Sequence, residues 1–189
     1  MGESKNNLAT EGLSGQVGNL VFRRRKGDGK VFVSVHPSSH EGGPSEAQQK
    51  VNSKFQEAVI YGKSVIADPA TKALYSEKAA PGQSAYNIAV ADYFSAPDIK
   101  EVDLSAYTGE VGSTIKVKAV DDFKVAKVQV QIAGVDGTVV EEGAAVLQTD
   151  GLYWVYTATQ KNATPTGDKI TITAWDIPNN SSVQSSVIS

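Results

Sequence analysis

Four consecutive cations, Arg23, Arg24, Arg25 and Lys26, lie in the stretch LVFRRRKGDGKVFV at positions 20–33. Such a run can grip phosphates or pair with the carboxylates of another protein. A nucleic-acid surface also wants cations spread over a face and aromatic rings on which bases stack. Phe22 and Phe32 flank the run, but Lys50, Lys54 and Lys63 downstream are diluted by Glu46 and Glu57. A charged hairpin end is also an ordinary means of preventing unwanted edge pairing. The run is therefore read as a subunit-contact surface, with nucleic-acid binding as the alternative.

The remaining chemistry-bearing residues are sparse. Asp121, Asp122, Asp136 and Asp176 could converge as oxygen ligands for calcium at one end of a β-sandwich. Aspartates at turns and strand ends more often cap backbone amides, and no metal ligand is assigned from them. His36 and His40 span Pro37 with Glu41 as their acidic neighbour, too small a set for zinc. Gly27-Asp28-Gly29 is not followed by a helix, so it does not read as a phosphate loop. With no cysteine in the chain there are no disulfides or thiol nucleophiles. No catalytic constellation emerges, and the expectation is a non-enzymatic protein with no catalytic residues and no cofactor.

The elements that must position these residues follow from composition and periodicity. A chain of 189 residues, 40% hydrophobic and 21% charged, suits one large or two small globular domains. Residues 1–98 carry 11 basic and 10 acidic side chains, whereas residues 99–189 carry 7 and 11, so the halves differ in sign at +1 and −4. The opening MGESKNNLATEGLSG has no basic and apolar signal pattern, and no apolar run approaches the roughly 18 residues of a membrane span. This predicts synthesis in the cytoplasm without a cleaved signal or membrane partner, and is compatible with assembly into an extracellular or virion-like polymer.

Residues 1–15 read as an extended polar arm, with Leu8 and Leu13 as its large apolar groups. Residues 16–98 read as a β-hairpin plus three helices. Two β-prone runs surround Gly27-Asp28-Gly29, and whether the arginines oppose the valines of the second strand or Phe32 is left open by the register. Ser45-Glu46-Ala47-Gln48 is a capping box opening an amphipathic helix of about twenty residues. Asp68-Pro69 and Ser84 open two shorter helices. Residues 99–189 alternate Val, Ile and Thr with polar residues in short runs separated by turns, which predicts a β-sandwich. Tyr153, Trp154, Tyr156 and Trp175 are read as packing within it, with a sugar-binding platform as the functional alternative.

The segment AVDDFKVAKVQVQIAGVDGTVVEEGAA, with YWVYTAT and ITITAWDIPNN after it, resembles the bacterial immunoglobulin-like modules of cadherin or fibronectin type. The resemblance rests on Asp121–Asp122, Trp154 with Tyr156, and Thr173-Ala174-Trp175-Asp176 through Asn180. It implies an Ig-like sandwich after the α+β N-terminal region, in a class whose members serve as spacers, adhesins and assembly domains. Leu-Ser-Gly-x-Val-Gly-Asn-Leu-Val-Phe at residues 13–22 is similar to uncharacterised bacterial proteins, some phage-associated.

Together these features predict a structural protein that assembles with itself into a filament, tube or virion-like polymer. The expected contacts run from Leu8, Leu13 and Arg23–Lys26 of one copy to acidic residues of the next, Glu141–Glu142 or Asp121–Asp122. Nucleic-acid association and carbohydrate binding or adhesion are the competing expectations.

Overall fold

The structure, a computed structural model, describes residues 2–4, 13–24, 30–36 and 43–189. Leu8, Arg25, Lys26, the Gly27–Gly29 turn, His40 and Glu41 lie outside the described residues. The chain divides into two compact units, residues 1–49 and 50–189.

The first unit is built on an antiparallel sheet of β1 (Gly2–Ser4), β2 (Gly15–Val17), β3 (Leu20–Arg24) and β4 (Val31–Val35), in the order β1-β4-β3-β2. The expected hairpin is its centre, and two strands extend it. Gly18 at φ +61° and Asn19 make a two-residue loop that pairs Val17 with Leu20, so the chain before the hairpin becomes a third strand. At the opposite edge the arm supplies a fourth, Gly2–Ser4 pairing with Val31–Val33. The register of β3 on β4 resolves the arginines: Arg24 pairs with Val31 and Arg23 with Phe32. Side chains alternate across a strand, so these two cations point to opposite faces.

Helix α1 (Glu46–Ala67) opens with the expected capping box: Ser45 Oγ accepts from Gln48 N at 3.3 Å, and Gln48 Oε1 accepts from Ser45 N at 2.8 Å. Asp68 caps α2 (Pro69–Glu77) and Ser84 caps α3 (Ala85–Asp92), each through its side-chain oxygen. These caps satisfy amides that a helix cannot pair internally.

The sandwich packs sheet β5-β6-β10-β9 on sheet β12-β11-β7-β8. Its strands are β5 (Asp98–Asp103), β6 (Thr114–Val120), β7 (Val125–Ala133), β8 (Val139–Ala144), β9 (Val146–Leu147), β10 (Tyr153–Thr157), β11 (Lys169–Asp176) and β12 (Ser181–Val187). Alternation places Ile115, Val117 and Ala119 of β6 in the core with Val128, Val130 and Ile132 of β7 and Ile170, Ile172 and Ala174 of β11. Trp154 and Tyr156 are buried among them. The continuous β-prone stretch GTVVEEGAAVLQ at residues 137–148 splits into two strands, because β8 pairs with β7 and β9 with β10. Small residues permit that change of sheet; a Cβ on Gly143 would lie 2.8 Å from the Tyr156 ring.

The helices of the second unit share a smaller core with the sandwich. Val65, Tyr75, Ala85 and Ala89 pack with Phe123 of the β6–β7 loop, and the rings of Tyr75 and Phe123 stack at 4.1 Å between centroids. Inside this layer Gly62 lets α1 approach α3, since a Cβ there would sit 2.8 Å from Val90 Cγ2 and 2.9 Å from the Tyr86 ring. Two outcomes are expected. Gly62→Val overpacks the contact and lowers unfolding stability by about 1–3 kcal/mol in urea titrations. Residues 99–189 expressed alone unfold cooperatively, because their strands supply both inner faces, but with a midpoint below that of the full chain, because Phe123 loses its Tyr75 partner. A fragment without a cooperative transition would contradict the second expectation.

Candidate functional site

Three buried stripes of the second unit each end in an aspartate. On β6 the inward positions Ile115, Val117 and Ala119 are followed two residues later by Asp121. On β11 the inward series Ile170, Ile172, Ala174 ends at Asp176, which is 3% exposed, with a register shift between Trp175 and Asp176. On α3 the buried positions Ala85 and Ala89 are followed by Asp92, also 3% exposed, at helical spacing. The antiparallel pairing that sets Asp176 opposite Val125 brings the end of β11 to the β6–β7 loop. As a result one carboxylate oxygen from each of Asp92, Asp121 and Asp176 lies within 4.8 Å of the others.

Each carboxylate is held by donors. Tyr75 OH donates to Asp92 Oδ2 at 2.5 Å and shares a 2.8 Å hydrogen bond with Tyr61 OH. Asp121 Oδ2 accepts from the amides of Phe123 and Lys124 at 3.0 and 2.9 Å. Asn180 donates its backbone N to Asp176 Oδ1 at 2.6 Å and Nδ2 to Asp176 Oδ2 at 2.7 Å. The Asn180 amide also reaches Ser95 O at 2.7 Å, tying the β11–β12 loop to the segment after α3. That loop turns through Asn179 at φ +73°, a conformation asparagine tolerates better than most residues. Asp92 Oδ1 and Asp121 Oδ1 are buried and meet no donor.

Burial pushes the Asp92 carboxyl up to about 6, with Asp121, Asp176 and Asp122 adding like-charge repulsion and the Tyr75 hydroxyl opposing the shift. Burial also raises Asp176, partly offset by Asn180. The Tyr75 hydroxyl is driven above its ordinary value by burial and by its bond to Asp92, so it stays a proton donor.

The residues expected to form subunit contacts are distributed differently. Asp121 is half-buried in the cluster, whereas Asp122 is exposed and accepts from Ser95 Oγ at 2.8 Å. Glu141 is 4% exposed; its Oε2 accepts from Tyr156 OH, Thr159 N, Thr159 Oγ1 and Gln160 N at 2.8–3.2 Å. A carboxylate so enclosed offers nothing to a neighbouring arginine, because its alternating position on β8 aims it inward. Glu142, next along the strand, is exposed and accepts from Gln129 and from Gln131, the latter at 2.7 Å. Leu13 is 37% exposed, and Arg23 and Arg24 are exposed.

Of the aspartates considered for calcium, Asp121 and Asp176 come together. Asp136 does not, because it sits in the turn at the far end of the nine-residue β7, where it caps Thr138 N at 2.9 Å. Asp92 takes its place. Its signal in the sequence is helical spacing from Ala85 and Ala89, which puts a carboxylate on the apolar face. Among the aromatics, Trp154 and Tyr156 are core residues, and Lys127 Nζ stands 4.0 Å above the Trp175 ring.

The raised Asp92 carboxyl makes stability depend on pH. It binds its proton more tightly folded than unfolded, so its contribution is complete below about 4 and is lost as pH rises through about 6. The groups facing it are Tyr61, Tyr75, Asp121, Asp122 and Asp176. In buffer containing a chelator, unfolding stability is expected to fall between pH 4 and pH 7 by about 2 kcal/mol from this group. Asp92→Asn, which is neutral throughout, should flatten that dependence in urea titrations at several pH values.

No protein-family model and no curated protein matches the chain. Among solved structures it is similar to an engineered protein crystallised at 1.98 Å, at 16% identity and a TM-score of 0.35 over 59% of this chain. The aligned region spans 28% of that protein's length.

Proposed function

We propose that this chain is a non-enzymatic structural protein that assembles with copies of itself into a filament or tube. The observation that carries the reading is the attachment of β1. It consists of three residues near the chain start, joined to the edge of β4 through a short antiparallel ladder. A strand added at a sheet edge uses main-chain hydrogen bonds that any copy of the same segment can make, so exchange between copies preserves the ladder. The other edge, β2, is three residues long and exposed, with Val17 62% exposed. An arm given by one copy and an edge offered by the next form a head-to-tail contact, and such a contact propagates when its rotation does not close.

Charge supports the same direction of contact. Exposed Arg23 and Arg24 belong to the half with net +1, and exposed Asp122 and Glu142 to the half with net −4. Because Arg23 and Arg24 leave β3 on opposite faces, they suit two separate ion pairs better than one continuous track along a nucleic-acid backbone.

Removing residues 1–12 is expected to leave a folded monomer that no longer forms polymers in negative-stain images or sedimentation; undiminished assembly would rule out the arm. The double variant Arg23→Glu, Arg24→Glu should weaken assembly while moving the monomer's thermal midpoint little, since exposed ion pairs contribute about 0–1 kcal/mol. If that variant instead assembles fully and loses co-purifying nucleic acid, the nucleic-acid reading replaces this one.

A further inference from the structure

The geometry points to a calcium site formed by Asp92, Asp121 and Asp176, joining α3 to the β6–β7 and β11–β12 loops. This inference is independent of the assembly reading and concerns only the second unit.

Three carboxylates meeting in a buried place would not by themselves mark a site. The decisive observation is that Asp92, 3% exposed, and Asp121 each turn an oxygen, Oδ1, into protein that supplies no donor. A buried carboxylate oxygen without a donor forgoes its hydration and receives nothing in return. Two such oxygens, on carboxylates that belong to a cluster of three, call for a positive charge among them. Among the described residues, Lys78 Nζ is directed to Phe123 O and the Phe123 ring, Lys124 is exposed, and the ion pairs formed, Lys100–Asp98 and Lys161–Glu110, do not involve the three aspartates.

The remaining hydrogen bonds have the form of a ligand sphere held from behind. Tyr75 fixes Asp92 through Oδ2, two amides fix Asp121 through Oδ2, and Asn180 fixes Asp176. Outer donors of this kind orient carboxylate ligands. They leave Oδ1 of Asp92 and of Asp121 open, while each Asp176 oxygen accepts one hydrogen bond from Asn180 and would bind through its second lone pair. All-oxygen donors select hard cations. Oxygens around Ca2+ at about 2.3–2.6 Å can stand up to about 5 Å apart, whereas an octahedral Mg2+ at about 2.1 Å allows about 4.2 Å. The three oxygens, within 4.8 Å of one another, fit inside a Ca2+ sphere, and three protein carboxylates exceed the one or two through which Mg2+ is usually held. Water or backbone carbonyls would complete its coordination.

The test uses the full chain stripped with a chelator. Calcium chloride titrated calorimetrically should bind at one ion per chain. At one hundred times the dissociation constant it should raise the thermal midpoint by about 5–10 °C. Terbium should give emission on tyrosine excitation, through Tyr75 and Tyr61, and calcium should quench it by displacement. Asp92→Asn and Asp121→Asn should each weaken calcium at least about tenfold, and Asp136→Asn should leave it unchanged. The calcium titration of the unaltered chain decides the matter even if a variant fails to fold. Absence of both binding heat and midpoint shift would overturn the site, as would equal weakening by Asp136→Asn. Magnesium binding as tightly as calcium would overturn the choice of ion. Stabilisation by acid with no response to calcium would show that protons, not a metal, neutralise the cluster.

Discussion

The second unit depends on what becomes of the Asp92 carboxylate. It is buried where three helices meet the end of a sandwich, and the hydroxyls that reach it belong to a chain of contacts holding the layers together. Tyr61 of α1 bonds to Tyr75 of α2, Tyr75 bonds to Asp92 of α3, and the same Tyr75 ring stacks on Phe123 between β6 and β7. One tyrosine thus supplies a polar link to a neighbouring helix and an apolar link to the sandwich. Burying the carboxylate is unfavourable and stacking the ring is favourable, and the two cannot be separated because they meet on one side chain.

A second buried polar network is found around the opposite end of the sandwich, with a different balance. Asn162 bridges Asp168 Oδ2 and the Tyr107 hydroxyl, and Glu141 gathers Tyr156, Thr159 and Gln160. There the loop amides and hydroxyls converge on one carboxylate oxygen, so loop 158–160 is tied to β8 by a single residue. In that network four donors gather on Glu141 Oε2 while its Oε1 is buried without one. In the Asp92 cluster three carboxylates instead face one another, and this contrast is why the two ends of the same sandwich have different chemistry.

Much of the local structure was legible because it arises from interactions close in sequence. Ser45 with Gln48, Asp68 before Pro69, and Ser84 before α3 announce helix starts through bonds spanning about three residues. KITITAWD and TIKVKAV match β11 and β6 because alternation is a property of the strand itself. The additional strands of the first sheet were harder to see. Gly18-Asn19 is a turn signal, but β2 has three residues and β1 three, too few for a period to register.

The amino-acid sequence by itself determined the apolar stripes of β6, β11 and α3, and it places Asp121, Asp176 and Asp92 just past the last apolar member of each. Only the tertiary structure decided that these three stripe ends meet. Helical and strand periodicities specify a face of one element, whereas convergence depends on antiparallel pairing and on loops that bring residues 92, 121 and 176 together. The same distinction separates Glu141 from Glu142: adjacent in sequence and equal in charge, they are divided by the register of β8 on β7, which encloses one and exposes the other.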